Sequence, residues 1–451
     1  TLWHIYDSLH SKIISGIILG LFFNLNNSIA QKELLFSTAY EKPPVTTILL
    51  HPLLTAKFYQ LNSHQLFWFT PHIQSLDLRL ALKNCIDSAV NAGLSVNKYH
   101  YKEIIAVIKN NYTEKDSLEA MVTDKVFTDA AIALCKDFYQ GENISSWINY
   151  DEVSSKYSNA DNEYLLDRLI TVQSADSLLQ LLASLEPLEK EYILLKKELR
   201  EQLYKKTPLQ VKQLAVSLNY FRWVHHFRFD KCIVINIASA TLRYYEDGSV
   251  KLKMKVVVGK PTTKSPRFAA YCNQLVLYPY WNVPSSIALN ELLPKFKRNP
   301  SAIDAMNMQV VDGNGKVVDH YKMKWYRYNK NYFPYRFRQS TGCDNSLGVI
   351  KFNITSPFSV YMHDTNNKTA FLSASRFYSH GCIRLEQPIE LGNLLLNNRL
   401  DTTFLQSCYK EQLPVPVDLL KPIPVFVIYS MAETDSIDRV KYYKDIYGLL
   451  K

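Results

Sequence analysis

Two hydrophobic periods divide the chain. From about residue 60 to 210, apolar residues recur every three to four positions, the spacing that collects them on one face of a helix. Leu78, Leu82, Cys85 or Ile86, and Ala89 predict a helix over residues 74–93, with Gly93 placed to stop it. Phe127, Ala131, Leu134 and Phe138 share a face from Asp124 to Gln140, and Gly141 follows as a stop. Between 163 and 204, Leu178, Leu179, Leu181, Leu182 and Leu185, then Tyr192, Leu195 and Leu199, predict two more helices separated at Pro187. After Trp223 the period falls to two. Cys232 to Ala238 is a β-branched apolar run. Leu242 and Tyr244, then Val250, Leu252, Met254, Val256 and Val258, alternate on either side of Asp247-Gly248, a pair suited to positive φ; this predicts a hairpin. Gln274 to Tyr278, Val349 to Ile354, Phe358 to His363 and Val425 to Tyr429 are further strand segments. The pattern therefore predicts an α+β protein: an all-helical domain over 60–216, a mainly β domain over 217–430, and a tail over 431–451.

Residues 284–340 interrupt the β region. Ala288 to Phe296 reads as a short helix, and Asp312-Gly313-Asn314-Gly315 joins two short apolar runs as a hairpin. From Tyr321 to Arg338 there are six cations (Lys322, Lys324, Arg327, Lys330, Arg336, Arg338) and no acid, interleaved with Trp325, Tyr326, Tyr328, Tyr332, Phe333 and Tyr335.

Composition adds a compartment. The 451 residues are 47% hydrophobic and 21% charged, which excludes a disordered chain. The net charge of +10 favours an anionic neighbour: a membrane surface, nucleic acid or a carboxylate-rich polymer. Lys12 precedes the apolar run Ile13 to Phe23, followed by polar asparagines and by Ser28-Ile29-Ala30, small residues suited to cleavage after Ala30. This is the layout of a secretory signal, so residues 1–30 are expected to be a signal peptide or a membrane anchor, with a linker over 31–59. The expected location is the periplasm or cell envelope, which argues against nucleic acid as the partner of the basic, aromatic segment. Seven cysteines are too few for a disulfide scaffold, and their odd number leaves at least one thiol free.

The candidate free thiol is Cys382, in Ser379-His380-Gly381-Cys382-Ile383-Arg384-Leu385. A nucleophilic thiol needs a base, and the base needs a partner that fixes its tautomer. His363, 19 residues upstream in Tyr361-Met362-His363-Asp364-Thr365, is the candidate base. Gly381 lets the backbone approach a substrate closely, and amides around Gly381 and Cys382 would face an oxyanion. His380 is a further candidate, either for direct chemistry or for shaping that pocket. Arg384 has the donors to brace the loop through carbonyls, and Ser379 is a hydroxyl suited to satisfying loop backbone. His363, Asp364, His380 and Cys382 are all ligand types for zinc, yet no paired Cys-x-x-Cys or His-x₃-His accompanies them, so no metal is expected.

These residues carry a resemblance. Together with Arg338-Gln339, Asn345-Ser346-Leu347-Gly348 and Lys351-Phe352, the motif resembles the L,D-transpeptidases with a YkuD-type catalytic domain, in particular the large YcbB-type branch. The resemblance implies a sandwich-like β domain in which His363 ends a strand and Cys382 follows a loop. It implies a backbone carbonyl, that of Asp364, orienting the imidazole, with the Asp364 side chain in a supporting place. It also implies that 284–340 is an inserted capping subdomain. Tyr361, Arg336 and Arg338 are then expected to contact substrate, the arginines by holding a peptide carboxylate. The implied reaction releases terminal D-Ala from a peptidoglycan tetrapeptide stem through a Cys382 thioester, then passes the acyl group to an amine to form a 3–3 cross-link. It uses no cofactor, and carbapenems are expected inhibitors. Water or another amine as acceptor remains open, as does a catalytically inactive wall-binding scaffold. The small peptidoglycan-binding module that YcbB-type chains often carry has no room between the last predicted helix and the strand at Cys232.

Overall fold

The computed structural model describes residues 48–70, 74–109, 117–409 and 412–450. The export signal read from residues 1–30 lies outside them. Among the described residues no helix is long and apolar enough to cross a membrane.

The first half is helical. Helices run over Gln74–Ser88, Tyr101–Lys109, Ser117–Gln140, Glu152–Leu169, Ala175–Leu185 and Lys190–Lys205. Phe127, Ala131, Leu134 and Phe138 pack with Leu82, Ile86, Leu178 and Leu182 in one core, as their spacing requires. Asp124 is not the start of its helix, which begins seven residues earlier at Ser117. Its buried carboxylate instead accepts the amides of Phe67, Trp68 and Phe69 at 3.0, 2.8 and 3.0 Å and fixes that loop. The linker expected up to residue 59 contains a helix, Pro52–Leu61, which opens on a proline and buries Phe58 and Tyr59.

A further helix, Pro208–His225, is absent from the sequence reading. One part of it, with Leu214 and Leu218, packs on Tyr192, Leu195 and Leu199 of the preceding helix. Another, with Tyr220, Trp223 and Val224, packs into the core of the β region. A helix buried on more than one side loses the single apolar stripe that betrays an amphipathic helix. This helix fills much of the interval between the last predicted helix and Cys232.

The strands follow β1 (Tyr150–Asp151), with β2 (Lys231–Asn236), β3 (Thr241–Glu246), β4 (Ser249–Gly259) and β5 (Phe268–Leu277). An inserted set comprises β6 (Trp281–Asn282), β7 (Met308–Val311), β8 (Val317–Val318) and β9 (Arg336–Gln339). Then come β10 (Ile350–Ile354), β11 (Met362–His363), β12 (Phe377–Ser379), β13 (Ile383–Leu385), β14 (Val415–Ile428), β15 (Ala432–Thr434) and β16 (Val440–Tyr442). The main sheet runs β5-β10-β11-β13-β4-β3-β2-β14, and β14 also pairs with β5. The expected sandwich is thus corrected to a closed circuit of strands. The closure comes from β14, whose Val425–Ile428 pair with β2 on one side while Val415–Val427 run along β5 on the other. Such closure leaves these strands without free edges. Alternate residues of the circuit, among them Ile233, Leu242, Val256, Leu275, Phe352, Met362 and Ile383, form its core.

Between β5 and β10 the chain builds a separate four-stranded sheet, β6-β9-β7-β8, around Leu293, Phe296, Ile303, Val310 and Phe337. Trp325 is buried in that core with Tyr328, Phe333 and Tyr335 against it, whereas Tyr321, Tyr326 and Tyr332 are exposed. Cys343, just after this insertion, is disulfide-bonded to Cys408, 65 residues on, with Cα atoms 5.2 Å apart. Residues 431–450 are not a loose tail: β15 and β16 pair, and Ala432 packs on the helices Lys190–Lys205 and Pro208–His225.

Candidate active site

Strand alternation assembles the site. Met362, Ile383 and Leu385 point into the core. Tyr361, His363 and Arg384, and Cys382 one step before Ile383, therefore fall on the opposite face. β11 and β13 pair in parallel, with Met362 opposite Ile383 and His363 opposite Arg384, and Ile383 N–H donates to the Tyr361 carbonyl at 3.1 Å. A register with strands about 4.8 Å apart thus brings Cys382 beside Tyr361 and His363 despite their separation in sequence. On the other side of β11, His363 is opposite Lys351 of β10.

His363 is only 5% exposed, and its Nδ1 hydrogen-bonds the Asp364 carbonyl. A carbonyl can only accept, so Nδ1 carries the hydrogen and Nε2 is left as the basic nitrogen. Burial, with Arg384 and Lys351 nearby, lowers the imidazole pKa to about 3 despite the Asp364 bond. The Asp364 carboxylate serves the turn instead. It accepts the amides of Val349 at 3.0 Å and Thr365 at 2.7 Å and pairs with Lys368. Gly348, at φ +59°, gives it room: a Cβ there would come within 2.2 Å of Asp364 Oδ2. That contact gives the Asn345-Ser346-Leu347-Gly348 stretch a physical role.

Cys382 is the one free thiol that is not fully buried; Cys85, Cys135, Cys232 and Cys272 all are. Burial pushes those four up to about 12. Burial also raises Cys382, but Tyr361, Lys351 and Arg384 each pull it back toward the thiolate. The resting pair is thus a neutral thiol beside a neutral imidazole, and the proton must move as attack occurs.

The nucleophile loop is held by its own residues. Ser379 Oγ donates to the Cys382 carbonyl at 2.6 Å and accepts the Gly381 amide at 3.1 Å. Of the two amides expected to face an oxyanion, that of Gly381 therefore already has a partner. Gly381 is glycine for its backbone: φ is +119°, and a Cβ would find nothing closer than 3.8 Å. His380 is 40% exposed on its side chain and its Nε2 contacts Glu291 Oε1 of the insertion at 2.9 Å, which links the loop to that unit.

The brace expected of Arg384 is corrected. Among the described residues Arg384 has no hydrogen bond, whereas Arg376 donates to the carbonyls of Val256, Ser239 and Ala240 at 3.1 to 3.2 Å. Arg338 is engaged by Gln309 Oε1 at 2.6 and 2.9 Å and lies 4.4 Å over the Tyr280 ring; Arg336 is exposed on β9. Neither is brought into contact with Cys382 or His363.

Two supports were not legible in the sequence. Ser265 Oγ donates to the Gly381 carbonyl at 2.7 Å and accepts the Gly259 amide at 2.9 Å. Tyr447 Oη donates to the Gly259 carbonyl at 2.6 Å and accepts the Ser265 amide at 3.1 Å. Tyr447 lies 65 residues after Cys382, and no local pattern marks it. Tyr447→Phe should cost about 1–3 kcal/mol, because two buried backbone groups lose their partner. A urea-unfolding midpoint indistinguishable from wild type would show that the buttress carries no stability.

The comparisons with known proteins agree with this geometry. Residues 230–415 match the family model of the L,D-transpeptidase (YkuD) catalytic domain, and residues 54–199 match a scaffold-domain model. A Haemophilus influenzae protein named as an L,D-transpeptidase is 34% identical over 242 residues, covering 52% of this chain and 48% of its own length. The chain thus spans about half of that relative. Among solved structures, an L,D-transpeptidase from Mycobacterium smegmatis is 16% identical, covering 44% of this chain and 58% of its own, with a TM-score of 0.21. The catalytic domain of an E. faecium L,D-transpeptidase acylated by ertapenem is 15% identical, covering 44% of this chain and 97% of its own, with a TM-score of 0.19.

Proposed function

With residues 230–415 carrying an L,D-transpeptidase catalytic domain, we propose that this chain is a cysteine acyltransferase acting on peptidoglycan stem peptides. The observation that carries the reading is one exposed-face thiol beside a buried imidazole whose tautomer is set by a backbone carbonyl. In the proposed cycle the Cys382 sulfur attacks the carbonyl of the third stem residue, and its proton passes to His363 Nε2. The C–N bond to terminal D-Ala breaks, and the leaving amine takes that proton. The thioester is then attacked by the amine of a second stem, forming a 3–3 cross-link and regenerating the thiol. The Cys382 amide is the donor proposed for the oxyanion, and Tyr361 is proposed to line the acyl site.

We assign the insertion over 284–340 a covering role. The His380–Glu291 contact supports it, since it ties the insertion to the nucleophile loop. A cover would exclude water and so favour aminolysis over hydrolysis of the thioester. We also place the protein outside the cytoplasm, in the periplasm or cell envelope. The Cys343–Cys408 disulfide supports this, because such bonds persist in oxidising compartments, as does the secretory pattern of residues 1–30.

The deciding experiment incubates the protein with a tetrapeptide stem and, separately, with a carbapenem, and reads intact mass followed by peptide mapping. An acyl adduct on Cys382 and released D-Ala are expected. Absence of any adduct from both reagents would discard the acyltransferase reading.

A further inference from the structure

Lys351, His363 and Arg384 form one row across β10, β11 and β13, since Lys351 is opposite His363 and His363 is opposite Arg384. All three lie on the face that carries Cys382. Lys351 and Arg384 are both partly buried. Among the described residues neither makes an ion pair or hydrogen bond to a carboxylate. Lys351 Nζ rests 4.3 Å over the Tyr361 ring, which holds it toward the site.

Two cations withdrawn from water without a counter-ion are costly in a fold that pairs its other part-buried charges. Lys196 is paired with Glu186, and Arg243 with Glu191 and Glu433. Desolvation lowers the pKa of both Lys351 and Arg384, the direction that an arriving anion would reverse. The two residues also cannot be explained as anchors of the loop, because Arg376, Ser379 and Ser265 hold it.

We propose that Lys351 and Arg384, flanking His363, form a carboxylate-binding subsite beside Cys382 that takes a carboxylate of the donor peptide within one residue of the carbonyl attacked. The peptide part of this assignment rests on the function proposed above; the anion site itself does not. The placement would align the scissile carbonyl with the sulfur and restrict donors to those bearing a free carboxylate at that position.

Iodoacetate and iodoacetamide test the subsite without turnover. They alkylate the same sulfur and differ in carrying, one carbon from the reacting centre, a carboxylate or a neutral amide. For wild-type Cys382 the ratio of the iodoacetate to the iodoacetamide rate should exceed that of free glutathione by about tenfold or more, the worth of a charge-assisted hydrogen bond. Lys351→Gln and Arg384→Gln should each lower the ratio, and Lys351→Arg should retain it. Folding of each variant is read in the same spectra, since the four buried thiols label only if the chain opens. A wild-type ratio equal to that of glutathione overturns the subsite, and needs no variant to fold. A ratio that none of the substitutions changes overturns it too, leaving the cations only to keep His363 neutral. A raised ratio without any acyl-enzyme from stem peptides would retain the anion site and discard the transpeptidase reading. An acyl-enzyme with an unraised ratio would discard the subsite alone.

Discussion

Cys382→Ala is expected to abolish turnover and adduct formation while leaving the fold in place. Loss should be complete because no other thiol can substitute. Cys343 and Cys408 are joined to each other, and the remaining four free thiols are buried, with their pKa pushed up to about 12. A thiol that is neither ionised nor reachable does not attack a carbonyl. The structural cost should be small, about 1 kcal/mol or less, since one sulfur leaves a site that is not fully enclosed and makes no buried hydrogen bond to a core group. The Ser379 bond to the Cys382 carbonyl is a backbone interaction and survives the change. Mass mapping decides: an adduct on another cysteine, or residual acylation in the variant, would mean the nucleophile has been misassigned.

The second large effect is expected for His363→Ala, a loss of acylation rate of roughly 10² to 10⁴, the usual worth of a general base. Its pH dependence separates a base from a packing residue. Burial and two neighbouring cations lower the imidazole to about 3, so it is neutral and competent throughout the ordinary range. Wild-type acylation should therefore show no acid limb near the ordinary histidine value of about 6.5. The same shift has a stability sign. The unfolded chain takes up a proton at this residue near 6.5 and the folded chain only near 3, so the unfolded state binds more protons between those values. This group therefore withdraws stability as pH falls through that window, and His363→Ala should remove that part of the acid sensitivity. A severe defect in His380→Ala with a mild one in His363→Ala would reassign the base. His380 is less suited to the role: it is part-exposed and engaged with Glu291 across to the insertion.

Sequence by itself determined the parts of this protein that short-range physics dictates. Phe127, Ala131, Leu134 and Phe138 lie on one helix face because 3.6 residues make a turn. Leu242 and Tyr244 alternate into a sheet, and Asp247-Gly248 turns the hairpin, because a strand repeats every two residues. The motif around Cys382 and His363 was legible as chemistry, since nucleophile and base must be of particular residue types whatever surrounds them.

What only the tertiary structure decided are the relations between distant segments, and these have no local period. The parallel register of β11 on β13 is what puts Cys382 on the same face as His363. The length of β14 closes the strand circuit where two open sheets were expected. The helix Pro208–His225 escaped notice because it is buried against two neighbours and so lacks a polar stripe. Arg384, read as a loop brace, is left without a partner because Arg376 reaches the carbonyls first. Tyr447 supports the loop under Gly381 from the far end of the chain. In each case the deciding quantity is which surface a residue meets when the chain returns to it, and that is settled by long-range packing rather than by neighbours in sequence.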